Sequence, residues 1–311
     1  MVSSALQFLS HHSELSMDSA RFLEAFRFRP THATTNPSLI LSACQNDEYN
    51  SVVNDTISLH RNEGCRHIAD HIRLRFCTEL LDRIPGLVSV EIDPSCAFNV
   101  DASLAHARRI VQLCRRADVR DRILVKIPAT WHGVQAAAAL RAEGVQCNMT
   151  LVFSMLQALV CARNGAFLIS PFVGRLSDRM PAMQGSSATQ DQGVALALRI
   201  YSRFRQEGHA TRVMAASFRC SQQVIMASAC GMVTVGEHIM RRLAAMRASA
   251  MPKPCQQFSE AMQHCPTPRD LHCFERALAQ NRTAWLELKH GLEAFACNET
   301  QLSRLIERRL P

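Results

Sequence analysis

Eight short apolar segments, each bounded by turn residues, limit the fold of this chain more than any other feature. Most are separated by stretches in which apolar residues recur at helical spacing. Strands that alternate with helices form right-handed crossovers, and this number of them favours a closed barrel. We therefore predict an α/β chain, one (β/α)8 TIM barrel over residues 1–311. The predicted strands are residues 15–18, 32–36, 87–92, 123–128, 147–153, 167–172, 212–216 and 232–235.

The sequence also bears on the rival fold and on the segments outside the strands. An open doubly wound sheet is disfavoured because no Gly-x-Gly-x-x-Gly loop follows a predicted strand. Several prolines between residues 252 and 268 precede C-terminal helices, which we place at about residues 270–308 and pack on the barrel. We predict that Asp101 caps the helix after the third strand, and that the polar stretch 177–191 is a mobile loop.

Composition and charge narrow the functional classes. Hydrophobic residues make up 47% and charged residues 20%, as in soluble globular proteins, and no apolar run is long enough for a membrane span. The N-terminus lacks the pattern of a signal peptide, so we expect a cytoplasmic protein without membrane partners. The formal charge of +8 suits anionic ligands, but with 6% aromatic residues nucleic-acid binding is weakly supported. Small phosphorylated substrates suit the charge equally well.

The cysteines indicate reduced thiols. The chain has 13 cysteines and no Cys-x-x-Cys pair, so they act as small hydrophobic residues. Cys255, Cys265 and Cys273, with His264 and His272 beside them, could in principle bind zinc. Their spacings match no zinc finger or ribbon, so we predict no metal site there.

Lys126 is the most informative single residue. Only three lysines occur among the 35 basic residues, and this one lies inside the strand-like run 123–128. Burial disfavours an ammonium, and a neutral amine can attack a carbonyl to form a Schiff base, which arginine cannot do. The alternative is a strand-end lysine that extends to water. This feature alone leaves both interpretations open.

Polar residues gather at the predicted strand ends. In a barrel, the C-terminal ends of the strands meet at one mouth. Each residue has a simpler explanation, such as turn chemistry for Asn36 before Pro37 and for Ser170 before Pro171. Their occurrence on six segments favours one shared site. The residues are Asp18, Asn36, Glu91, Lys126, Asn148, Thr150 and Ser170.

Five segments in order give the chain a resemblance to the transaldolase family. The similarity extends from about residue 15 to residue 231, and beyond residue 281 only the helical pattern is similar. The segments are HATTNPSLI at 32–40, ILVKIPATW at 123–131, CNMTLVFS at 147–154, ISPFVGR at 169–175 and ASFR at 216–219.

The resemblance implies a class I transaldolase that needs neither metal nor cofactor. Lys126 would form an imine with the ketose donor, and Asp18 would take the proton from the hydroxyl beside the breaking bond. Glu91 would shuttle protons through a water held by Thr150. The partners would be fructose 6-phosphate, erythrose 4-phosphate, sedoheptulose 7-phosphate and glyceraldehyde 3-phosphate. A homodimer is compatible with the sequence.

The same resemblance assigns the substrate contacts. Asn36, Asn148 and Ser170 would hold the dihydroxyacetone unit. The sugar phosphate would lie against Arg175, Ser217 and Arg219, because arginine presents a fork of donors to its oxygens. Phe172 stands where related aldolases carry tyrosine, which favours transfer over release.

Some positions depart from the family pattern, and three alternatives stay open. His32 replaces the usual Asp, Ser19 follows Asp18 in place of glycine, Cys220 replaces asparagine, and no proline precedes Glu237. The nearest alternative is an aldolase that releases the three-carbon fragment. A barrel that binds sugar phosphates without converting them is the second, and a basic nucleic-acid module is the third.

Overall fold

Eight parallel strands close into a barrel in a computed structural model that describes residues 4–179, 191–250 and 268–310. Each strand pairs with its neighbours in chain order, and β8 pairs with β1. The predicted fold class is confirmed, and every predicted strand agrees with an observed one to within two residues. The strands are β1 Glu14–Asp18, β2 His32–Thr34, β3 Val88–Glu91, β4 Ile123–Pro128, β5 Cys147–Val152, β6 Leu168–Pro171, β7 Arg212–Ala215 and β8 Met232–Gly236.

Helices surround the barrel and continue beyond its last strand. The two C-terminal helices, α13 and α14, occupy the range predicted for them. The helices are α1 Ala5–His12, α2 Phe22–Phe28, α3 Pro37–Cys44, α4 Asn50–Leu59, α5 Cys65–Leu81, α6 Val100–Arg116, α7 Trp131–Ala142, α8 Met155–Arg163, α9 Val173–Arg179, α10 Gln192–Glu207, α11 Ser221–Ala227, α12 Glu237–Ala245, α13 Leu271–Gln280 and α14 Arg282–Arg309.

Two local predictions need correction or limits. Asp101 does not cap α6; Asn99 does, by accepting the N–H of Ala102 at 2.9 Å, while Asp101 lies in the first turn, where a carboxylate suits the helix dipole. Residues 177–179 of the predicted loop 177–191 are helical instead, because α9 continues to Arg179. Residues 180–190 lie outside the described residues.

Three residues of the cysteine and histidine cluster, Cys255, Cys265 and His264, lie outside the described residues. Cys273 is half-buried on α13. Across residues 4–179, 191–250 and 268–310, no helix combines the length and the hydropathy needed to span a bilayer.

The barrel interior has an apolar floor and a polar upper layer. Leu124, Leu168, Met214 and Met232 pack together inside the barrel. Side chains two residues apart on a strand point to the same face, so the next inward positions on three of these strands are polar. They are Lys126, Ser170 and Thr234. On β4, β6 and β8 the apolar side chains lie toward the N-terminal ends of the strands, and the polar side chains lie nearer the C-terminal mouth.

Helix α14 packs against that mouth. A Cβ added to Gly291 would lie 2.7 Å from Leu151 Cδ2 and 3.0 Å from Arg175 Nη1, so the helix approaches these side chains too closely for a larger residue. Further along α14, Asn298 Nδ2 donates to Ser38 Oγ at 2.6 Å. Glu299 pairs with the buried Arg73 of α5. These contacts fix α14 between α3 and α5.

Candidate active site

Lys126 is buried inside the barrel, next to a carboxylate. Its side chain is 4% exposed, and Nζ lies 3.0 Å from Glu91 Oε2. Nζ also donates to the carbonyl of Thr35 at 3.0 Å. The strand register places Glu91 of β3 directly beside Lys126 of β4. The alternative of a lysine that extends to water does not describe this side chain.

Burial dominates the electrostatics of the two acids. It raises the pKa of Glu91, although the charge of Lys126 opposes the shift. Burial likewise raises the pKa of Asp18, against the opposing effects of Lys126 and of a hydrogen bond from Thr34. Both carboxyls therefore hold protons more readily than exposed carboxyls do, which is the property expected of groups that exchange protons near neutral pH.

Two threonines hold Asp18 in place. Thr34 Oγ1 donates to Asp18 Oδ1 at 2.7 Å, and Thr234 Oγ1 lies 2.7 Å from Thr34 Oγ1. Because Thr34 uses its single proton on Asp18, Thr234 must be the donor to Thr34. The sequence analysis missed both threonines. Thr34 belongs to the segment HATTNPSLI at 32–40, but nothing in the sequence indicates that it contacts Asp18.

Asn148 and Ser170 form a hydrogen-bonded row across the barrel interior. Ser170 Oγ donates to Asn148 Oδ1 at 2.8 Å, and Asn148 Nδ2 donates to Ser89 Oγ at 3.0 Å. Asn148 is in register with Lys126 on the adjacent strand. The predicted residues of β5 and β6 are thus brought to the same layer as the amine, together with Ser89, which the sequence analysis did not identify.

Thr150 lies one layer above Asn148 and is fully buried. Among the described residues, neither Thr150 Oγ1 nor Glu91 Oε1 has a hydrogen-bond partner. Buried polar atoms are usually paired, so each has hydrogen-bonding capacity to offer a ligand.

Asn36 has a structural role in addition to its predicted one. It is the N-cap of α3, with Pro37 in the first turn, and its Oδ1 accepts the N–H of Leu39 at 2.9 Å. The turn chemistry considered for this residue is therefore present. Its amide nitrogen is left as a donor, one residue beyond the Thr35 carbonyl that contacts Lys126.

Two residues near the mouth have left-handed backbone conformations, which are uncommon for residues other than glycine. Leu151 has φ of 56°, and the pairing of β5 with β6 shifts register around it. Ser217 has φ of 61°, and its carbonyl accepts the N–H of Gly174 at 2.8 Å. Such strain is often retained at functional sites. Both residues lie in segments that resemble the transaldolase family, Leu151 in 147–154 and Ser217 in 216–219.

Arg175 lies between two aromatic rings. Its guanidinium carbon is 5.4 Å from the centroid of Phe172 and 5.6 Å from that of Phe295 on α14. Burial lowers its pKa, and the charge of Arg219 adds to this effect. Phe172 also makes an edge contact with Phe153, with ring centroids 5.5 Å apart. The sequence analysis missed Phe295 because its helix is distant in sequence from the motifs.

Arg219 is held by an acid. Its Nε and Nη2 lie 2.9 and 2.7 Å from Oδ2 of Asp178, and both side chains are about half exposed. The backbone N–H of Arg219 donates to Gln223 Oε1 at 2.7 Å. Arg175 and Arg219 thus form two neighbouring positive charges on the β6 and β7 side of the mouth. Ser217 stands two residues before Arg219, and its carbonyl accepts the N–H of Gly174, the residue before Arg175.

The fold and this arrangement define a class of protein. A buried amine beside two carboxyls, in a (β/α)8 barrel with two arginines at the mouth, is typical of an enzyme that acts on a phosphorylated carbonyl compound. The chain belongs to the transaldolase/fructose-6-phosphate aldolase family, whose model matches residues 15–306.

One solved structure is a distant match to this chain. A solved structure of a mandelate oxidase variant with a monooxide FMN adduct aligns with a TM-score of 0.39 and 15% sequence identity. The alignment covers 75% of this chain and 67% of that one. A similarity at this level bears on neither the chemistry nor the substrate.

Proposed function

We propose that the protein is a transaldolase, which transfers a dihydroxyacetone unit from a ketose phosphate donor to an aldose phosphate acceptor through a Schiff base on Lys126. The observation that carries the proposal is the buried Nζ of Lys126, 3.0 Å from Glu91 Oε2 and electrostatically coupled to Asp18. The proposed setting is the cytoplasmic pentose phosphate pathway, with the chain acting as one domain.

The first steps use Glu91. A carboxylate whose pKa is raised by burial can accept a proton from the neighbouring ammonium, leaving a neutral amine. The amine then attacks the donor carbonyl to give a carbinolamine. Loss of its hydroxyl as water, with a proton returned from Glu91, gives the iminium. Glu91 Oε1 and Thr150 Oγ1 offer the hydrogen bonds that a water relay between acid and substrate would need.

Asp18 serves the carbon–carbon bond. It would remove the proton from the hydroxyl next to the breaking bond, so that the aldehyde leaves and the bonding electrons move to the iminium nitrogen as an enamine. Addition of the enamine to the acceptor aldehyde, with the proton returned from Asp18, reverses the sequence. Hydrolysis of the new iminium then frees the product ketose and restores Lys126.

The remaining residues would bind substrate. Asn148 and Ser170 already form one hydrogen-bonded row beside the amine and, with Asn36, would contact the hydroxyls of the dihydroxyacetone unit. Arg175, Arg219 and Ser217 would bind the phosphate. Phe172 adds an apolar wall without a hydroxyl, which favours transfer over aldolase-like release of the fragment.

Borohydride trapping tests the proposal. Reduction of the protein with fructose 6-phosphate present should give a stable adduct that mass spectrometry locates on Lys126. Lys126→Arg keeps the positive charge but cannot form an imine, so it should give no adduct and no turnover with a preserved circular dichroism spectrum. An unlabelled Lys126 in active protein, or substantial turnover by the arginine variant, would overturn the Schiff-base role.

A second assay separates transfer from cleavage. Fructose 6-phosphate alone should give little product, and adding erythrose 4-phosphate should give sedoheptulose 7-phosphate. Cleavage that needs no acceptor would assign the protein to the aldolase branch of the family. An absence of both reactions with retained sugar phosphate binding would identify a binding protein.

A further inference from the structure

Three ligand-type side chains meet at the turn between α4 and α5, away from the proposed active site. His60 is the C-cap of α4, Glu63 lies in the turn, and His71 follows on α5. One potential ligand atom from each lies within 4.8 Å of the others. Nothing in the proposed transfer reaction uses these residues.

The distances within the group suit a tetrahedral ion. Glu63 Oε1 is 3.0 Å from His60 Nδ1 and 3.1 Å from His71 Nε2. Bonds of about 2.0–2.1 Å in a tetrahedral zinc site place the ligand atoms roughly 3.3 Å apart. The distances from Glu63 Oε1 to the two imidazole nitrogens are therefore close to those between ligands of one zinc ion. Rotation of the two rings about their χ angles would direct both nitrogens to one ion.

The two imidazole rings lie face to face against one carboxylate oxygen. The rings of His60 and His71 are stacked, with centroids 3.4 Å apart and planes inclined by 10°. The stack brings Nδ1 of His60 and Nε2 of His71 to the same oxygen, Oε1 of Glu63.

A neighbouring arginine orients the carboxylate. Arg109 Nη2 donates to Glu63 Oε2 at 3.2 Å, and Arg109 Nε donates to Asp70 Oδ2 at 2.9 Å. Glu63 Oε2 is thereby occupied, while Oε1 faces the two histidines. An outer partner that fixes a ligand in this way is a regular feature of metal sites. His67 Nδ1 lies 3.9 Å from Glu63 Oε2, at the edge of the group.

We propose that His60, Glu63 and His71 bind one divalent transition-metal ion of the zinc type, with water as the fourth ligand. Two nitrogen ligands and one oxygen ligand suit zinc or cobalt, whereas magnesium and calcium require more oxygen ligands. In a neutral imidazole the proton can lie on either ring nitrogen. Each ring can move its proton to the other nitrogen and present a lone pair to the ion.

The test is a cobalt(II) titration of the full chain without substrate, so that its outcome does not depend on the proposed catalysis. We expect one equivalent bound, with the visible absorption of tetrahedral nitrogen and oxygen coordination. His60→Ala/His71→Ala should lose that equivalent. The matched control, His11→Ala/His12→Ala, removes two exposed histidines of α1 and should keep it.

Glu63→Gln is a second variant, for the case that the double-histidine variant does not fold. It keeps the size of the side chain and its ability to form hydrogen bonds, so we expect it to fold. We expect its affinity for cobalt to fall by at least about 10-fold, with an unchanged circular dichroism spectrum. Equal binding by the wild type and the double-histidine variant would overturn the proposal. So would a spectrum dominated by thiolate-to-cobalt charge transfer, since that would place the ion on cysteines.

Discussion

Thr34 donates its hydroxyl hydrogen to Oδ1 of Asp18 at 2.7 Å, and the hydroxyl of Thr234 lies 2.7 Å from that of Thr34. This short chain links β8, β2 and β1 inside the barrel. It holds the Asp18 carboxylate in one orientation. It also favours the ionised form, because a carboxylate accepts a stronger hydrogen bond from Thr34 than a protonated carboxyl does. A base for the hydroxyl proton of the substrate needs both properties.

Thr34→Val should impair Asp18 without removing it. A hydrogen bond to a charged group contributes about 1.5–3 kcal/mol, so we expect kcat to fall roughly 10–100-fold. The bond lowers the pKa of Asp18. Its loss should therefore move the acidic limb of the kcat/KM profile to higher pH. Thr234→Val is the control, because it leaves the Thr34–Asp18 bond in place and should shift the limb less. Superimposable limbs for Thr34→Val and wild type would show that Thr34 does not tune this acid.

Asp18→Asn should lose activity, because it removes the proposed base, and should make the folded protein more stable. Burial raises the pKa of Asp18 in the folded state. The folded state therefore binds more protons than the unfolded state, and stability falls as pH rises from the unfolded pKa of about 3.9 through the folded one. Above the pKa of Asp18 in the folded state, the full destabilisation from its buried charge is present.

Asparagine carries no charge, so burying it does not destabilise the fold in this way. The free energy of unfolding at pH 8 should therefore be higher for the variant than for the wild type, by an amount on the order of 1 kcal/mol. The difference should shrink towards pH 4. Urea denaturation at both pH values measures it. A stability difference that is constant across this range would contradict the effect of burial on Asp18.

The Arg219–Asp178 pair predicts opposite effects of two substitutions. Arg219→Ala removes a charged contact of about 1.5–3 kcal/mol and should raise KM for phosphorylated sugars about 10–100-fold. Asp178→Asn removes the acid that holds Arg219 in the free protein, so phosphate no longer competes with a carboxylate. We expect its KM to fall about 2–5-fold, as suits a half-exposed ion pair worth less than about 1 kcal/mol. Initial rates against substrate concentration give both values, and an unchanged KM in both variants would remove the pair from the phosphate site.

Gly291→Ala should disturb the mouth through α14. The added Cβ would lie 2.7 Å from Leu151 Cδ2 and 3.0 Å from Arg175 Nη1. Overpacking costs about 1–3 kcal/mol, which offsets or exceeds the gain of about 1 kcal/mol from alanine in a helix. We expect a lower melting temperature and a raised KM. Gly64→Ala is the matched control, since a Cβ there meets nothing within 4 Å; a KM change of equal size in both variants would indicate a nonspecific effect.

The sequence predicted the barrel because each strand carries its own local signal. Turn residues bound every apolar run, and burial on both faces of the sheet keeps a strand such as β4 apolar apart from Lys126. Helix caps were harder to predict. Asn99 and Asp101 are both good capping residues two positions apart, and only the backbone geometry selects Asn99.

The candidate site was predictable in part. Residues on strand ends, such as Lys126 and Glu91, follow from the barrel rule that strand ends share one mouth. Contacts between side chains distant in sequence carry no local signal. Phe295 beside Arg175, Asp178 beside Arg219 and Thr234 beside Thr34 are examples, because each depends on how separate elements pack.

The close approach of Gly291 to Leu151 and Arg175 also bears on biosynthesis. A ribosome delivers the strands well before α14, so a nascent barrel would lack the wall that Phe295 supplies beside Arg175. The proposed substrate cleft would then be complete only once this helix docks. Until that point, Lys126 and the barrel strands would be in place without the side of the cleft that Phe295 forms.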